Sequence, residues 1–230
     1  MTTRAAWKTL EDDGFAVIKG VSFSTLVDDL VAGLRASPIH RSRGGARNGL
    51  RHPAVHAVAH DPRLVELVAE LLGATPLPFS ARFFDKSESS NWLVAWHQDT
   101  MLPLRQRRHV AGWGPRSTKA GVHYARATAD VLSRVVSVRL HLDDSTRANG
   151  PLRVLPGTHA LGVLEAGEVQ RLASARPSVE CLASKGTVLV MKPLLVHASS
   201  KSAVPVSRRV LHIEYARSFE LGDGLELAVA

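Results

Sequence analysis

Cysteine is nearly absent from this chain of 230 residues, because Cys181 is the only one. A lone cysteine excludes an intrachain disulfide and a thiolate zinc cluster. Long apolar runs are also missing, since stretches such as Val188–Met191 are far too short to span a bilayer. Met1–Gly14 lacks the apolar core of a signal peptide. These absences predict a cytoplasmic protein with no membrane partner.

Blocks of like charge are missing too, although 29 Lys and Arg stand against 21 Asp and Glu, a formal net charge of +8. Runs of five or six like charges are typical of disordered tails and nucleic-acid-binding arms. Here the arginines are scattered, and Arg105, Arg107 and Arg108 form the densest group. The pattern argues against specific nucleic-acid binding and favours an anionic small molecule as substrate or cosubstrate.

Two amphipathic helices are predicted in the first third of the chain. Ser24–Ala36 has apolar residues at helical spacing, with Ser24 as a plausible N-cap. Asp61 can cap a second helix that begins at Pro62 and ends at Gly73. Gly14–Gly20 resembles a short strand, and the Arg-, Gly- and Ser-rich segment 37–53 is predicted to be a loop that could act as a lid.

Beyond Gly73 the sequence changes to short strands separated by turn residues. The predicted strands are Leu77–Phe84, Trp92–His97, Val131–Leu142, Leu152–Leu155, Gly186–Met191, Leu194–Ala198 and Val210–Ala216. A series of short strands favours a sandwich or barrel. We therefore predict a mainly-β fold with helices on one outer face, as a single domain over residues 1–230.

The strongest chemical motif is Trp96-His97-Gln98-Asp99. Side chains alternate along a strand, so His97 and Asp99 share one side and Gln98 faces the other. His197, within Pro193–Ser199, is the best candidate for a third ligand. Two histidines and one carboxylate are the ligand set of non-haem Fe(II) oxygenases. With 11 histidines in the chain, a surface His–Asp pair and a core histidine are the alternative interpretation.

A candidate carboxylate anchor follows His197. Arg208 and Arg209 open an apolar strand, and a guanidinium matches a carboxylate with two parallel hydrogen bonds. A dicarboxylate such as 2-oxoglutarate requires such an anchor at its distal end. Only one of the two arginines can serve, because neighbours on a strand point oppositely. Two surface arginines are the alternative.

Three stretches together resemble the phytanoyl-CoA dioxygenase family of Fe(II)- and 2-oxoglutarate-dependent oxygenases. They are Trp96–Asp99, Asn149–His159, and His197–Ser199 with the arginine that follows. Alone, the Asn-Gly and Pro-Gly pairs within Asn149–His159 indicate only a turn, a strand and another turn. The resemblance implies a double-stranded β-helix, which is a jelly-roll or cupin-like barrel of two facing sheets with flanking helices.

The resemblance also implies a catalytic site. In it, His97, Asp99 and His197 bind Fe(II), and O2 and 2-oxoglutarate are cosubstrates. The implied reaction oxidises a C–H bond of a small molecule, typically by hydroxylation, with release of succinate and CO2. Related iron halogenases carry a small residue where this chain has Asp99, which leaves room for chloride. The carboxylate therefore favours hydroxylation over halogenation.

Cosubstrate residues follow from the same resemblance. Arg208 and Ser199 are implied to hold the distal carboxylate of 2-oxoglutarate. Arg139 occupies a position where some relatives have an aromatic cosubstrate contact, so it is a further candidate for the pocket wall. A solvent-facing strand arginine is the alternative for Arg139.

The segment Thr100–Asp130 interrupts the strand series directly after the proposed ligands. Loops of this length inside a compact domain are usually functional or disordered. We expect it to be a substrate-facing insertion, one that fatty-acyl members of the family do not obviously share. Candidate substrate contacts in and before it are Trp92, Trp96, Trp113, Lys119 and His123.

Two other functions compete with an oxygenase. A metal-dependent isomerase or lyase on a similar barrel would not require a second carboxylate anchor, so Arg208 argues against it. A catalytically silent or non-oxygenase metal-binding member of the same fold is disfavoured because His97, Asp99 and His197 are all present.

Overall fold

The computed structural model describes residues 3–18, 23–37, 45–88 and 90–230. The end of the predicted Gly14–Gly20 strand and residues 38–44 of the predicted lid lie outside these ranges. The described α-helices are α1 (Thr3–Asp13), α2 (Ser24–Ala36), α3 (Pro53–Ala59), α4 (Pro62–Leu72), α5 (Ala129–Ser133) and α6 (Ala166–Ala175). None of them combines the length and apolar character needed to cross a membrane.

The first seven strands are β1 (Phe15–Ile18), β2 (Leu77–Lys86), β3 (Val94–His97), β4 (Met101–Leu104), β5 (Arg116–Lys119), β6 (Val122–Arg126) and β7 (Val135–His141). The others are β8 (Leu152–Val154), β9 (Val179–Cys181), β10 (Val188–Met191), β11 (His197–Ser199), β12 (Arg208–Ala216), β13 (Glu220–Gly222) and β14 (Leu225–Glu226). Short 3-10 turns occupy Gly49–Arg51, Arg147–Asn149 and Thr158–Leu161.

Two antiparallel sheets face each other. The major sheet has the order β1-β10-β7-β12-β2, and the minor sheet has the order β3-β11-β8-β9. Leu152 and Val154 of the minor sheet pack against Leu189 and Met191 of the major sheet. This arrangement confirms the predicted mainly-β, jelly-roll fold with flanking helices. The division into domains stays a prediction.

The two faces of the major sheet differ in chemistry. Leu211, Ile213 and Tyr215 of β12 share a cluster with apolar residues of helices α1 to α4, and Tyr215 donates a hydrogen bond to the Ala59 carbonyl at 3.0 Å. The residues between them, such as His212, point to the opposite face because strand side chains alternate. The inner face is therefore unusually polar, and it faces the minor sheet.

Several local predictions need correction. The predicted strand Val131–Leu142 is a short helix, α5, followed by β7, because the Thr128 hydroxyl accepts a hydrogen bond from the Val131 amide and caps the helix. Ser24 is the first residue of α2 rather than its cap. Asp61 caps α4 as predicted, accepting from the Arg63 amide at 3.0 Å. Helices α1, α3 and α6 were not predicted.

The segment Thr100–Asp130 is more ordered than predicted. It contains a three-stranded antiparallel sheet of order β4-β6-β5 and ends in the first two residues of helix α5. Leu102, Leu104 and Ala125 from these strands are buried in a second apolar cluster. Removal of the whole segment would expose that cluster, so single substitutions test its part in substrate binding better than a deletion.

Asn149-Gly150 forms a turn between the two sheets rather than a hairpin within one. The strands before and after it, β7 and β8, lie in different sheets. Gly150 has a φ of 70°, and a Cβ there would lie 2.3 Å from the carbonyl oxygen of Ser200. Glycine is therefore required for a close crossing beside β11, where it helps to position Ser199.

Candidate metal centre

Strand pairing brings the three predicted ligands together. β11 and β3 are antiparallel, with His197 opposite His97, and the two ring centroids are 4.2 Å apart. Asp99 follows β3 directly. Its Oδ1 lies 3.7 Å from His97 Nε2, and its Oδ2 lies 3.5 Å from His197 Nε2. One ligand atom from each residue lies within 4.8 Å of the others, so a single ion could contact all three.

Backbone carbonyls orient both imidazoles. The Nδ1 of His97 lies 2.8 Å from the Ala95 carbonyl oxygen, and the Nδ1 of His197 lies 2.9 Å from that of Leu195. When Nδ1 carries the proton and donates it to the carbonyl, the lone pair remains on Nε2, which faces Asp99. Local backbone geometry therefore prepares both rings to bind a metal through Nε2.

Gln98 stabilises the turn between the ligands. Its Nε2 donates to the carbonyl oxygens of Gly162 and Leu194 at 2.9 and 2.7 Å, and its Oε1 accepts from the Leu164 amide at 2.8 Å. It faces away from the ligand cluster, as the alternation of side chains predicts. Three hydrogen bonds hold this short segment rigid, which keeps its neighbours, His97 and Asp99, at a fixed separation.

The protonation states suit metal binding. Burial lowers the pKa of His197 to about 4, with His97 contributing, so its imidazole is neutral near pH 7. Burial alone would raise the pKa of Asp99, but the imidazoles of His197 and His97 outweigh it and hold the pKa below its usual range. A neutral imidazole and an ionised carboxylate are the forms that bind a cation.

Arg208 and Lys86 form a cationic pair further along the major sheet from the three metal ligands. Arg208 is 3% exposed and donates through Nη2 to Ser199 Oγ at 3.4 Å. Lys86, opposite Arg208 on β2, donates to the same hydroxyl at 2.9 Å and also to the Ser200 carbonyl. Arg209 instead donates two hydrogen bonds, of 2.8 and 2.7 Å, to the Asp143 carboxylate. Arg208 is therefore the arginine that remains available.

Arg139 is buried rather than solvent-facing, being only 6% exposed. Its Nη1 lies 3.2 Å from His212 Nδ1, and its guanidinium lies 5.4 Å from the centre of the Phe84 ring. The Nε atoms of both Arg139 and Arg208 are buried without a hydrogen-bond partner among the described residues. Buried donors normally have partners, so these two indicate a place for an anion.

One cavity of about 140 Å³ joins the metal ligands to the arginines. Its lining residues are Arg82, Phe84, Trp92, Val94, His97, Asp99, Arg139, Leu152, His197, Ala198, Ser199, Arg208 and His212. Lys86 and Arg82 were not singled out from the sequence. Both lie on β2 with Phe84 midway between them, and their even spacing of four positions is the only sequence signal that places them on one face.

The five predicted substrate contacts do not lie together in the structure. Trp92 lines the cavity. Trp96 packs beside Leu155, away from the cavity, because it neighbours His97 on a strand and must point oppositely. The remaining three candidates are also absent from the cavity wall. Trp113 is buried in an apolar cluster, His123 lines a separate cavity of about 180 Å³, and Lys119 is exposed.

Comparisons with known proteins agree with this architecture. AviO1 from Streptomyces viridochromogenes Tue57 is 23% identical, with 93% of this chain and 94% of that chain covered and a TM-score of 0.67. EctD from S. alaskensis, crystallised with 2-oxoglutarate and 5-hydroxyectoine, is 20% identical over 94% and 76% of the two chains, with a TM-score of 0.69. At such identities the likeness shows the fold alone.

A third similar solved structure is that of an enzyme with a different activity. SnoK, a non-haem alpha-ketoglutarate-dependent carbocyclase from nogalamycin biosynthesis, is 18% identical over 96% and 88% of the chains, with a TM-score of 0.69. No curated protein matches this chain. The model of the phytanoyl-CoA dioxygenase (PhyH) family matches residues 10–210, which is most of the sequence. The chain belongs to the phytanoyl-CoA dioxygenase family.

Proposed function

We propose that this protein is a non-haem Fe(II)- and 2-oxoglutarate-dependent dioxygenase that hydroxylates a C–H bond of a small molecule. The observation that supports it best is the convergence of His97, Asp99 and His197 in a cavity that also exposes Arg208. When bound, Fe(II) with 2-oxoglutarate and O2 supplies the oxidising chemistry, and succinate and CO2 are released. The protein side chains bind and orient these groups.

Each side chain has a defined task in this proposal. His97, Asp99 and His197 hold the metal on one side and leave its other positions open. Arg208 binds the distal carboxylate of 2-oxoglutarate, and the Ser199 hydroxyl adds a polar contact there. Arg139 lines the same cavity and contributes a further positive charge. Phe84, Val94, Leu152 and Ala198 give the cavity an apolar wall that limits access of water.

The charge of the cavity supports a dianionic cosubstrate. Arg139 and Arg208 line it, each with a buried Nε that has no hydrogen-bond partner among the described residues, and Asp99 is the one carboxylate among its described lining residues. Buried cations without counter-charges are costly, because they lose hydration without a compensating attraction. A bound dicarboxylate would offset that cost and would give the unpartnered guanidinium N–H groups acceptors.

Asp99 supports hydroxylation as the reaction type, since its carboxylate would fill the coordination position that a halide would need. The family supports a small-molecule substrate, and an excess of basic residues favours an anionic one. The buried thiol of Cys181 is compatible with a reducing cytoplasm. We also propose that residues 1–230 act as one domain, with Thr100–Asp130 as its substrate-facing part.

Anaerobic addition of Fe(II) and 2-oxoglutarate tests the proposal. The wild-type protein is expected to develop a weak visible charge-transfer band, which requires a metal chelated by the 2-oxo acid. His197→Ala should remove the band, and His56→Ala, which changes an exposed helix residue, should retain it. After admission of O2, succinate release should follow the same order. A wild-type protein without the band, or a His197→Ala variant that retains it, would contradict the proposal.

Affinity for 2-oxoglutarate is expected to fall as the pH rises through about 7. Burial, with the nearby charges of Arg208 and Arg139, lowers the pKa of Lys86 to about 7, so its ammonium is charged below that pH and neutral above it. A dianion binds better beside the charged form. Lys86→Met should flatten the pH profile and weaken binding at pH 6 by about 10-fold, the size expected for one charged hydrogen bond.

Calorimetric titration of 2-oxoglutarate between pH 6 and 8.5 measures this effect. Lys8→Met is a matched control, because Lys8 is exposed on α1 and pairs with Asp12. That variant should keep the wild-type profile. A wild-type affinity for 2-oxoglutarate that does not change with pH would show that the Lys86 ammonium does not interact with the cosubstrate.

A further inference from the structure

The cavity also contains the guanidinium group of Arg82, to which the proposed binding mode of the cosubstrate assigns no partner. We propose that the substrate carries a carboxylate or similar anionic group, and that Arg82 binds this group beside the metal ligands. The inference rests on the proposed function and adds the substrate class to it. Four observations support it: the position of Arg82, its unused donors, the charges around it, and the separate use of the other arginines.

Arg82 lies at the metal end of the cavity. On β2 and β12 it is opposite His212, whereas Lys86 is opposite Arg208. Arg82 and Lys86 are four positions apart on one strand, a separation of roughly 13 Å. Burial alone would lower the pKa of Arg82, but the carboxylates of Glu214 and Asp99 raise it. Arg82 and the proposed metal ligand Asp99 therefore interact electrostatically in one cavity, whereas Lys86 and Arg208 of the distal-carboxylate site lie further along the strands.

The guanidinium of Arg82 has donors to spare. Its nearest carboxylate oxygen is Oε2 of Glu214, 3.6 Å from Nη2, which is beyond hydrogen-bond length. Among the described residues no hydrogen bond from the Arg82 side chain is formed. Glu214 is 1% exposed, and burial raises the pKa of its carboxyl. The Arg82 side chain is 20% exposed and open to the cavity.

Positive charge continues from Arg82 toward the surface. Burial lowers the pKa of Lys119, and so do the charges of Arg47 and Arg82. Arg47 and Lys119 are exposed, and Lys119 lies 5.9 Å from the centre of the Tyr124 ring. Neighbouring cations of this kind attract anions and raise their rate of encounter. Lys119, which the sequence predicts as a substrate contact, is one of these cations.

The two carboxylates of 2-oxoglutarate already have partners in the proposed function. Arg208 and Ser199 take the distal one. Arg139 lines the same cavity as Arg208 and the metal ligands, and its charge lowers the pKa of both Arg208 and His197. We assign Arg139 to the carboxylate that binds at the metal. Arg82 remains for a third anionic group, which the substrate must bring.

Matched acid and amide pairs test the assignment. The protein is loaded with Fe(II) and 2-oxoglutarate without O2, and formation of the charge-transfer band establishes the chelate. Acetate and acetamide, benzoate and benzamide, and N-acetylglycine and N-acetylglycinamide are then titrated. Binding is followed by calorimetry and by the change in the band. At least one acid is expected to bind 10-fold or more tightly than its amide.

Variants assign that preference to a residue. Arg82→Gln should remove the preference for the acid, and Arg171→Gln, which alters an exposed arginine of α6 paired with Glu168, should retain it. Glu214→Gln should keep or increase it, because a competing carboxylate is lost. If Arg82→Gln does not fold, Arg82→Lys keeps the charge without the guanidinium fork and should reduce the preference.

Two outcomes overturn the inference: equal binding of every acid and amide by the wild type, or an acid preference that survives in both Arg82 variants. Failure of the proposed function is seen separately. In that case no charge-transfer band forms, and calorimetry with the metal-free protein still decides whether Arg82 selects acids over amides.

Discussion

Replacing Asp99 with alanine is expected to abolish substrate-coupled oxidation. The loss should reach at least about 100-fold, a size seen even when only an outer partner of a metal ligand is removed. Asp99 is the one anionic member of the three-residue cluster, and Arg82 and Arg139 line the same cavity. Without its carboxylate, two neutral imidazoles would have to hold a divalent cation against these positive charges. Metal affinity and turnover should therefore fall together.

Calorimetric Fe(II) titration and succinate release measure the two effects. Asp28→Ala is the matched control, because Asp28 is an exposed carboxylate of α2 that pairs with Lys185. It should bind metal and turn over as the wild type does. Normal turnover by Asp99→Ala would remove Asp99 from the ligand set and leave the two histidines without an explanation.

The geometry of the ligand cluster was largely predictable because it depends on a local rule. Alternation along a strand puts His97 and Asp99 on one side and Gln98 on the other, and the structure has this arrangement. Pairing with His197 is a long-range contact, for which spacing gives no rule. The resemblance to a family supplied it, and the register of β3 and β11 shows how the fold achieves it.

The polar inner face of the major sheet was harder to predict. Strands normally turn apolar residues inward and polar residues to solvent. Along β2 the order is reversed, because Arg82, Phe84 and Lys86 alternate with Ala81 and Phe83, which belong to the main apolar cluster on the other face. From the sequence, Arg82 and Lys86 resemble ordinary solvent-facing residues. Only the position of the helices shows which face is inside.

Thr100–Asp130 was difficult for a different reason. Its strand β5 runs from Arg116 to Lys119 through polar residues only, so apolar periodicity could not reveal it. Its apolar partners are dispersed among turns, and only the folded sheet collects Leu102, Leu104 and Ala125 into one cluster. The segment therefore contributes to the buried core, and it is also the proposed substrate-facing part of the protein.

Arg208→Ala is expected to weaken 2-oxoglutarate binding by 10- to 100-fold or more, whereas Arg209→Ala should leave it nearly unchanged. A charged hydrogen bond contributes about 1.5–3 kcal/mol, and a guanidinium can make two to one carboxylate. Arg208 is buried and has an unpartnered Nε, so its donors are available. Arg209 instead pairs with Asp143 at a half-buried site, so its loss should cost at most about 1 kcal/mol of folding stability.

The comparison of two 2-oxo acids makes the assignment specific. 2-Oxopentanoate keeps the metal-chelating end of the cosubstrate but lacks the distal carboxylate. If Arg208 holds that carboxylate, the wild type should bind 2-oxoglutarate much more tightly than 2-oxopentanoate, and Arg208→Ala should bind both with similar affinity. Arg209→Ala should keep the wild-type preference. A preference lost in Arg209→Ala but kept in Arg208→Ala would mean that the anchor is the other arginine, since only the residue that faces the distal carboxylate can distinguish these two ligands.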